Sequence, residues 1–401
     1  MKRALVCGLY IGLGLLTTKA QEPARQAGLA AEVRVALDQS LQKGAAYLLS
    51  RQEADGSWLH HPAVTALAAT ALLQTPSSPG ATLTPAAAKA IDFVKGCAKP
   101  DGSIWTPGEG QYPNYSTAIS LLALVAADRP ADREIMRKAR QFLLGPTSQF
   151  AQVPESDPAF GGIGYGKSGR PDLSNTQWAL EALYVSRHLD REPYTDNPAQ
   201  PQQAELAWGR ALTFLTRCQN LAETNKSGWV TSDPENRGGF IYFPGSEEEG
   251  LPPESKAGEV DVNGVKALRS YGSMTYAGLK SMVYARVTRD DPRVKAAMDW
   301  VRRHYTFKEN PGIGAQGHFY YLNTCAKALS AYGDEVLTDA NGVSHRWRDD
   351  LSREIVSRQK AEGAWVNEGS ARWMESIPEL STCYVMLAMQ VVAGYNPAPL
   401  R

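Results

Sequence analysis

From Gln52 to Leu73 the chain reads QEADGSWLHHPAVTALAATALL: the end of one helix, a Gly-Trp turn and then an apolar helix. Near the C-terminus, Gln359 to Met389 repeats the arrangement, with Gly363 and Trp365 as far from Gln359 as Gly56 and Trp58 are from Gln52. Aligning the apolar helices on a Thr followed by a small-apolar pair gives Thr65 with Ala71-Leu72, Thr117 with Ala123-Leu124, Thr176 with Ala182-Leu183, Thr275 with Ser281-Met282, Leu322 with Ala328-Leu329 and Thr382 with Ala388-Met389. Recurrence in a fixed order is the mark of a helical repeat array, and it limits the fold more than any local propensity does.

A more charged helix precedes each apolar one, at about 31–52, 84–97, 131–144, 202–219, 291–305 and 347–360. In 131–144 the charges Asp132, Arg133, Glu134, Arg137, Lys138 and Arg140 leave Ile135, Phe142 and Leu143 as a narrow apolar stripe, so such helices belong outside. Their partners, such as 115–127 (YSTAISLLALVAA), are apolar all round and belong inside. The class is therefore all-α. The turns entering the inner helices carry Gly56-Ser57-Trp58, Gly102-Ser103-Ile104-Trp105, Gly161-Gly162, Gly228-Trp229, Gly312-Ile313-Gly314 and Gly363-Ala364-Trp365. Glycine permits the tight reversal, and Trp58, Trp105, Trp229 and Trp365 are expected to close the outer-inner interface as plugs, next to Gln52 and Gln359.

These turns resemble the repeats of squalene-hopene cyclases, related terpene cyclases and protein prenyltransferase beta subunits, over roughly residues 40 to 395. Supporting segments are Phe160 to Leu183 (FGGIGYGKSGRPDLSNTQWALEAL), Gly238-Gly239-Phe240 and Tyr271 to Met282 (YGSMTYAGLKSM). The resemblance implies an (α/α)6 toroid of six inner and six outer helices, built from six helix-pair repeats; periodicity alone would equally allow an open solenoid. It also implies catalytic signatures that this chain lacks. No Asp-x-Asp-Asp tetrad occurs, the nearest acidic pair being Glu259 and Asp261. The zinc ligands of the prenyltransferases are missing too: no His precedes an aligned position, and Asp172 is followed two residues on by Ser174 rather than Cys. No metal and no cofactor are expected, and whether the chain is an enzyme stays open.

Residues 1–20 carry Lys2 and Arg3, an apolar run from Ala4 to Leu16 and then Thr18-Lys19-Ala20, the order of a secretory signal. Export is expected, to the periplasm or outside the cell, leaving residues 21–401 as one toroid domain. Nothing after residue 20 is long and apolar enough for a transmembrane segment. Charges balance at 42 against 42 without a basic stripe, so nucleic acid is not an expected partner. Cys97, Cys218, Cys325 and Cys383 read as buried thiols, with a Cys325–Cys383 disulfide left open. The interval from Thr176 to Thr275 is nearly double the others, and its excess is an acidic insertion at about 230–270 that could dock a protein partner.

The inner helices all begin at one mouth, and their N-termini favour an anionic or hydroxyl-rich group there. Candidate ligand-pocket residues at that mouth are His318, Tyr271, Tyr276, Tyr320, Tyr321, Trp178, Asp172 and Glu375, with capping as the plain alternative for Asp172. Aromatic walls suit an apolar, isoprenoid-like ligand or a stacked glycan. The leading expectation is an exported toroid that binds an apolar or isoprenoid-like small molecule in a central pocket. Beside it stand an isoprenoid-processing cyclase or transferase, whose acid would be Glu375, Asp172 or Asp261, a polysaccharide lyase using Arg170, Arg269 or Arg372, and a protein-interaction scaffold.

Overall fold

The computed structural model describes residues 28–75, 84–107, 112–145, 153–166, 170–195, 197–262 and 264–395. The expected signal segment, residues 1–20, lies outside them. Among the described residues there are twelve α-helices and two short antiparallel hairpins. The charged helices are α1 (Ala31–Ser50), α3 (Pro85–Gly96), α5 (Arg133–Leu144), α7 (Gln200–Cys218), α9 (Pro292–Arg303) and α11 (Trp347–Ser357). The apolar ones are α2 (Pro62–Gln74), α4 (Pro113–Ala127), α6 (Leu173–Val185), α8 (Gly272–Tyr284), α10 (His318–Tyr332) and α12 (Pro378–Ala393). Burial follows the pattern that composition dictates: α5 buries one stripe, whereas every residue of α12 from Glu379 to Ala393 is buried.

The apolar helices pack in sequence, α2 on α4, α4 on α6, α6 on α8, α8 on α10, α10 on α12, and α12 returns to α2. The charged helices lie over the seams of this circuit, and α1 closes it by meeting α11, α12 and α2.

The aligned threonines have a physical task. The backbone N–H groups of Trp58, Ile104, Ile163, Phe240 and Trp365 donate to the hydroxyls of Thr65, Thr117, Thr176, Thr275 and Thr382, at 3.0, 2.7, 2.9, 3.1 and 3.1 Å. A buried turn has few places to send its backbone donors, and a hydroxyl inside an apolar helix supplies one. In each case the donor lies two residues after a glycine with positive φ. At Gly161 an added Cβ would stand 1.9 Å from the Arg210 carbonyl of α7, so only glycine lets the turn approach the next charged helix. Gln52, Gln219 and Gln359 fasten the same turns. Gln359 Nε2, for example, donates to Gly363 O and Ser40 O, both at 2.9 Å, tying the last turn to α1.

This register corrects two of the expected plugs. Trp58 and Trp365 are fully buried, with indole N–H groups on Leu48 O and Ile355 O at 2.9 Å. Trp105 is half-buried, because Ile104 takes the place two residues past Gly102. Trp229 sits in a small separate cluster with Ile241 and Leu268, and Phe240 fills the core position of its repeat. Part of the long interval is therefore the repeat's own turn. The remainder folds as β1 (Glu259–Val262) and β2 (Val265–Leu268) and a stretch over the start of α6, where Leu173 N donates to Tyr242 O at 2.9 Å and Arg170 pairs with Glu254. The second hairpin joins β3 (Leu337–Thr338) to β4 (Ser344–His345). All four described cysteines are free and buried, which settles Cys325 and Cys383 as separate thiols in the apolar interior.

Candidate functional site

Side chains from helices that are not neighbours on the circuit meet in its interior. Trp178 of α6 stacks on Tyr384 of α12, with ring centres 6.4 Å apart and planes 21° apart. Tyr320 of α10 lies 6.4 Å from Trp178 and 5.8 Å from Tyr384, and its hydroxyl accepts from Ser174 and Gln177 of α6 at 3.0 and 3.1 Å. Tyr115 of α4 reaches Tyr384 hydroxyl to hydroxyl at 3.4 Å and packs on Tyr165 at 5.7 Å, and Tyr165 packs on Tyr112 at 4.8 Å. Tyr112 and Tyr165 are 39% and 37% exposed, Tyr115 and Tyr320 half-buried, Trp178 and Tyr384 buried. The rings thus form a continuous ladder from solvent to the centre.

Below the ladder sits a charge cluster that the sequence reading missed. Glu181 of α6 accepts from Lys280 of α8 at 2.6 Å and from Lys327 of α10 at 2.5 Å. Lys280 also donates to Gln177, and both ammonium groups lie over the Trp178 ring, at 5.6 and 4.7 Å. Glu181, Lys280 and Lys327 are all buried. They occupy the ninth or tenth position of their helices, about 9 Å below the first-turn tyrosines by helical rise. Burial opposes the Glu181 carboxylate, but Lys280 and Lys327 outweigh it and hold its pKa at about 2. Burial brings Lys280 down to about 8, with Glu181 pulling the other way and Lys327 adding repulsion. Such charges are rare in a helix otherwise apolar on all sides, and that rarity was the available signal: one Glu in WALEAL, one Lys in GLKSM and one in CAKAL.

The expected site residues fall into three groups. Trp178 and Tyr320 belong to the ladder. Asp172, Tyr271 and Glu375 lie at helix starts. Asp172 caps α6 through the Asn175 N–H at 2.8 Å, and burial raises its pKa to about 6 despite hydrogen bonds from Asn175 and Tyr242. Tyr271 is the buried N-cap residue of α8. Glu375 accepts from the Tyr320 N–H at 2.7 Å and from Asn367 Nδ2 at 2.6 Å, capping α10; burial raises its pKa. His318, Tyr276 and Tyr321 form the third group, turned toward the seam with the charged helices. His318 Nε2 is bonded to Phe307 O at 2.8 Å, and burial lowers its pKa to about 4. Tyr321 donates to Thr306 O at 2.5 Å, and Tyr276 meets Tyr321 edge to face.

The arginines considered for a glycan are engaged elsewhere: Arg170 with Glu254, Arg269 with Glu259 O and Arg372 with Gln316 Oε1. Asp261 binds the Gly264 N–H inside its hairpin. Among the described residues the one grouping of three potential metal ligands is Glu53, Asp55 and His60, in the first turn, where His60 is paired with both carboxylates at the surface. A pocket of about 100 Å³ lies between α7 and the C-terminal ends of α6 and α8, with Tyr184, Arg187, Trp208 and Tyr284 among its walls and no residue of the ladder.

No family model matches the chain. Its solved structural neighbours include the type II terpene cyclase MstE from Scytonema in its apo form, with TM-score 0.53 and 15% identity, covering 90% of this chain and 99% of that one. A variant of the same enzyme in complex with the substrate geranylgeranyl dihydroxybenzoate aligns with TM-score 0.53 and 14% identity, covering 91% of this chain and 100% of that one. At such identity the likeness is one of fold. The chain has a terpenoid cyclase-like alpha-alpha toroid fold.

Proposed function

We propose that this protein binds an apolar, isoprenoid-like small molecule in the interior of its helix circuit, and that the twelve helices form six helix-pair repeats closed as an (α/α)6 toroid. The observation that carries the reading is the ladder from Tyr112 and Tyr165 through Tyr115 and Tyr384 to Trp178, which offers a long apolar chain ring faces from solvent to centre. The MstE complex, in which a protein of this fold holds a geranylgeranyl compound, supports the same ligand class. We place the protein outside the cytoplasm, on the charged, apolar and small-residue order of residues 1–20.

The carboxylates considered as a catalytic acid already serve as caps or turn bonds, so binding is the activity assigned. The test is titration of the mature chain with farnesol, followed by quenching of tryptophan fluorescence. Saturable binding that Trp178→Ala or Tyr320→Ala weakens about tenfold is the expected result. Failure to bind farnesol or longer isoprenoid alcohols, or binding that neither substitution alters, would overturn the reading.

A further inference from the structure

The cluster beneath the ladder carries two ammonium groups and one carboxylate, an excess of one positive charge in a buried place. Both Glu181 oxygens are already taken, one by each lysine. An ammonium has three N–H donors. Lys280 uses two, on Gln177 and Glu181, and Lys327 uses one, on Glu181, so three donors lack a protein acceptor among the described residues. Among the described residues Glu181 is the one carboxylate paired with Lys280 or Lys327. Buried cations are normally paired, and one left over costs free energy unless something neutralises it.

We propose that the ligand of the interior is an amphiphile with a single carboxylate, whose chain lies along the aromatic ladder and whose acid group seats on Lys280 and Lys327. This rests on the interior-binding reading above and adds the head group to it. One negative charge brings the cluster to neutrality, and two carboxylate oxygens accept most of the unused donors. A diphosphate would overshoot by about two charges beside Glu181, in a place where unbalanced charge is costly. The position fits as well, since the ladder ends on Trp178, over which both ammonium groups lie.

The experiment compares farnesoic acid, farnesol and farnesyl diphosphate, which share one chain, by calorimetric titration of the mature protein at pH 7. The acid is expected to bind at least about tenfold tighter than the alcohol, the scale of a charge-assisted hydrogen bond. Lys327→Met should abolish that advantage, so that acid and alcohol bind the variant with affinities within about twofold of each other. Acid and alcohol of equal affinity would overturn the carboxylate and leave the apolar reading standing, and so would a diphosphate that binds tightest. Absence of binding by all three would overturn the interior reading itself. Salt supplies a measurement independent of the variant's folding. Wild-type preference for the acid should persist from 50 to 500 mM NaCl if the lysines are buried at the site, and a preference that vanishes would place the acid on surface cations instead.

Discussion

Glu181→Gln removes the anion from between two ammonium groups that stand 2.6 and 2.5 Å from it. The glutamine oxygen can still accept from one lysine, so shape is kept while the compensating charge is lost. Breaking a buried pair in this way costs about 3–5 kcal/mol, because the remaining charges stay desolvated. With a urea m-value of about 3 kcal/mol/M, the unfolding midpoint at pH 7 should drop by roughly 1 M or more. The loss should shrink toward pH 10, because Lys280, already lowered by burial and no longer raised by Glu181, can then shed its proton. Replacing the whole set, Glu181→Leu with Lys280→Met and Lys327→Met, should be neutral or stabilising by about 1–4 kcal/mol, since an apolar cluster of similar volume avoids the desolvation altogether. Urea unfolding followed by tryptophan fluorescence reads both. A triple variant as unstable as Glu181→Gln would refute the claim that these charges are held at a cost to stability.

Two further outcomes follow from the packing. Trp365→Ala should cost about 3–5 kcal/mol by emptying a fully buried site and removing one of the two donors to Ile355 O, while Trp105→Ala, at a half-buried position, should cost less than about 1 kcal/mol; equal midpoint shifts would contradict the register set by the glycines. His318 is held neutral by burial, its pKa falling from the usual 6.5 to about 4, so the unfolded chain binds more protons between those values. Stability should therefore fall by up to about 3 kcal/mol as pH drops from 6.5 to 4. Asp172, raised to about 6, acts with the opposite sign, and the difference between wild type and His318→Gln isolates the histidine; parallel pH profiles for the two would reject the assignment.

Much of the architecture was legible because it is written in recurrence. The apolar helices, the charged helices and the glycine turns all repeat in order, and the observed helix ends lie within a few residues of those expected. What recurrence hid was the rule inside the turn. In five of the six turns the buried residue is the second after the positive-φ glycine, whatever its type, so Ile104 and Phe240 do the work of the expected plugs Trp105 and Trp229. Site residues were harder, because an apolar helix does not announce which side faces the interior. His318, Tyr276 and Trp178 all sit near helix starts, yet only Trp178 points across the circuit, and contacts between α6 and α12 cannot be read from a spacing. The lysines were legible in principle, as charges in helices that are apolar on every side, but their convergence on Glu181 depends on how three helices are rotated.

The same convergence bears on the chemistry that the fold suggests. A terpene cyclisation passes through carbocations, which aromatic faces stabilise. Here the largest ring of the interior, Trp178, already has both ammonium groups over it, at 4.7 and 5.6 Å. A substrate cation brought to that ring would meet two like charges and one carboxylate, and the repulsion grows as the site loses water. The arrangement that would hinder a cation favours an anion, in keeping with the carboxylate proposed for the interior. An interior with rings above and an unbalanced positive charge below suits a ligand that keeps its own negative charge.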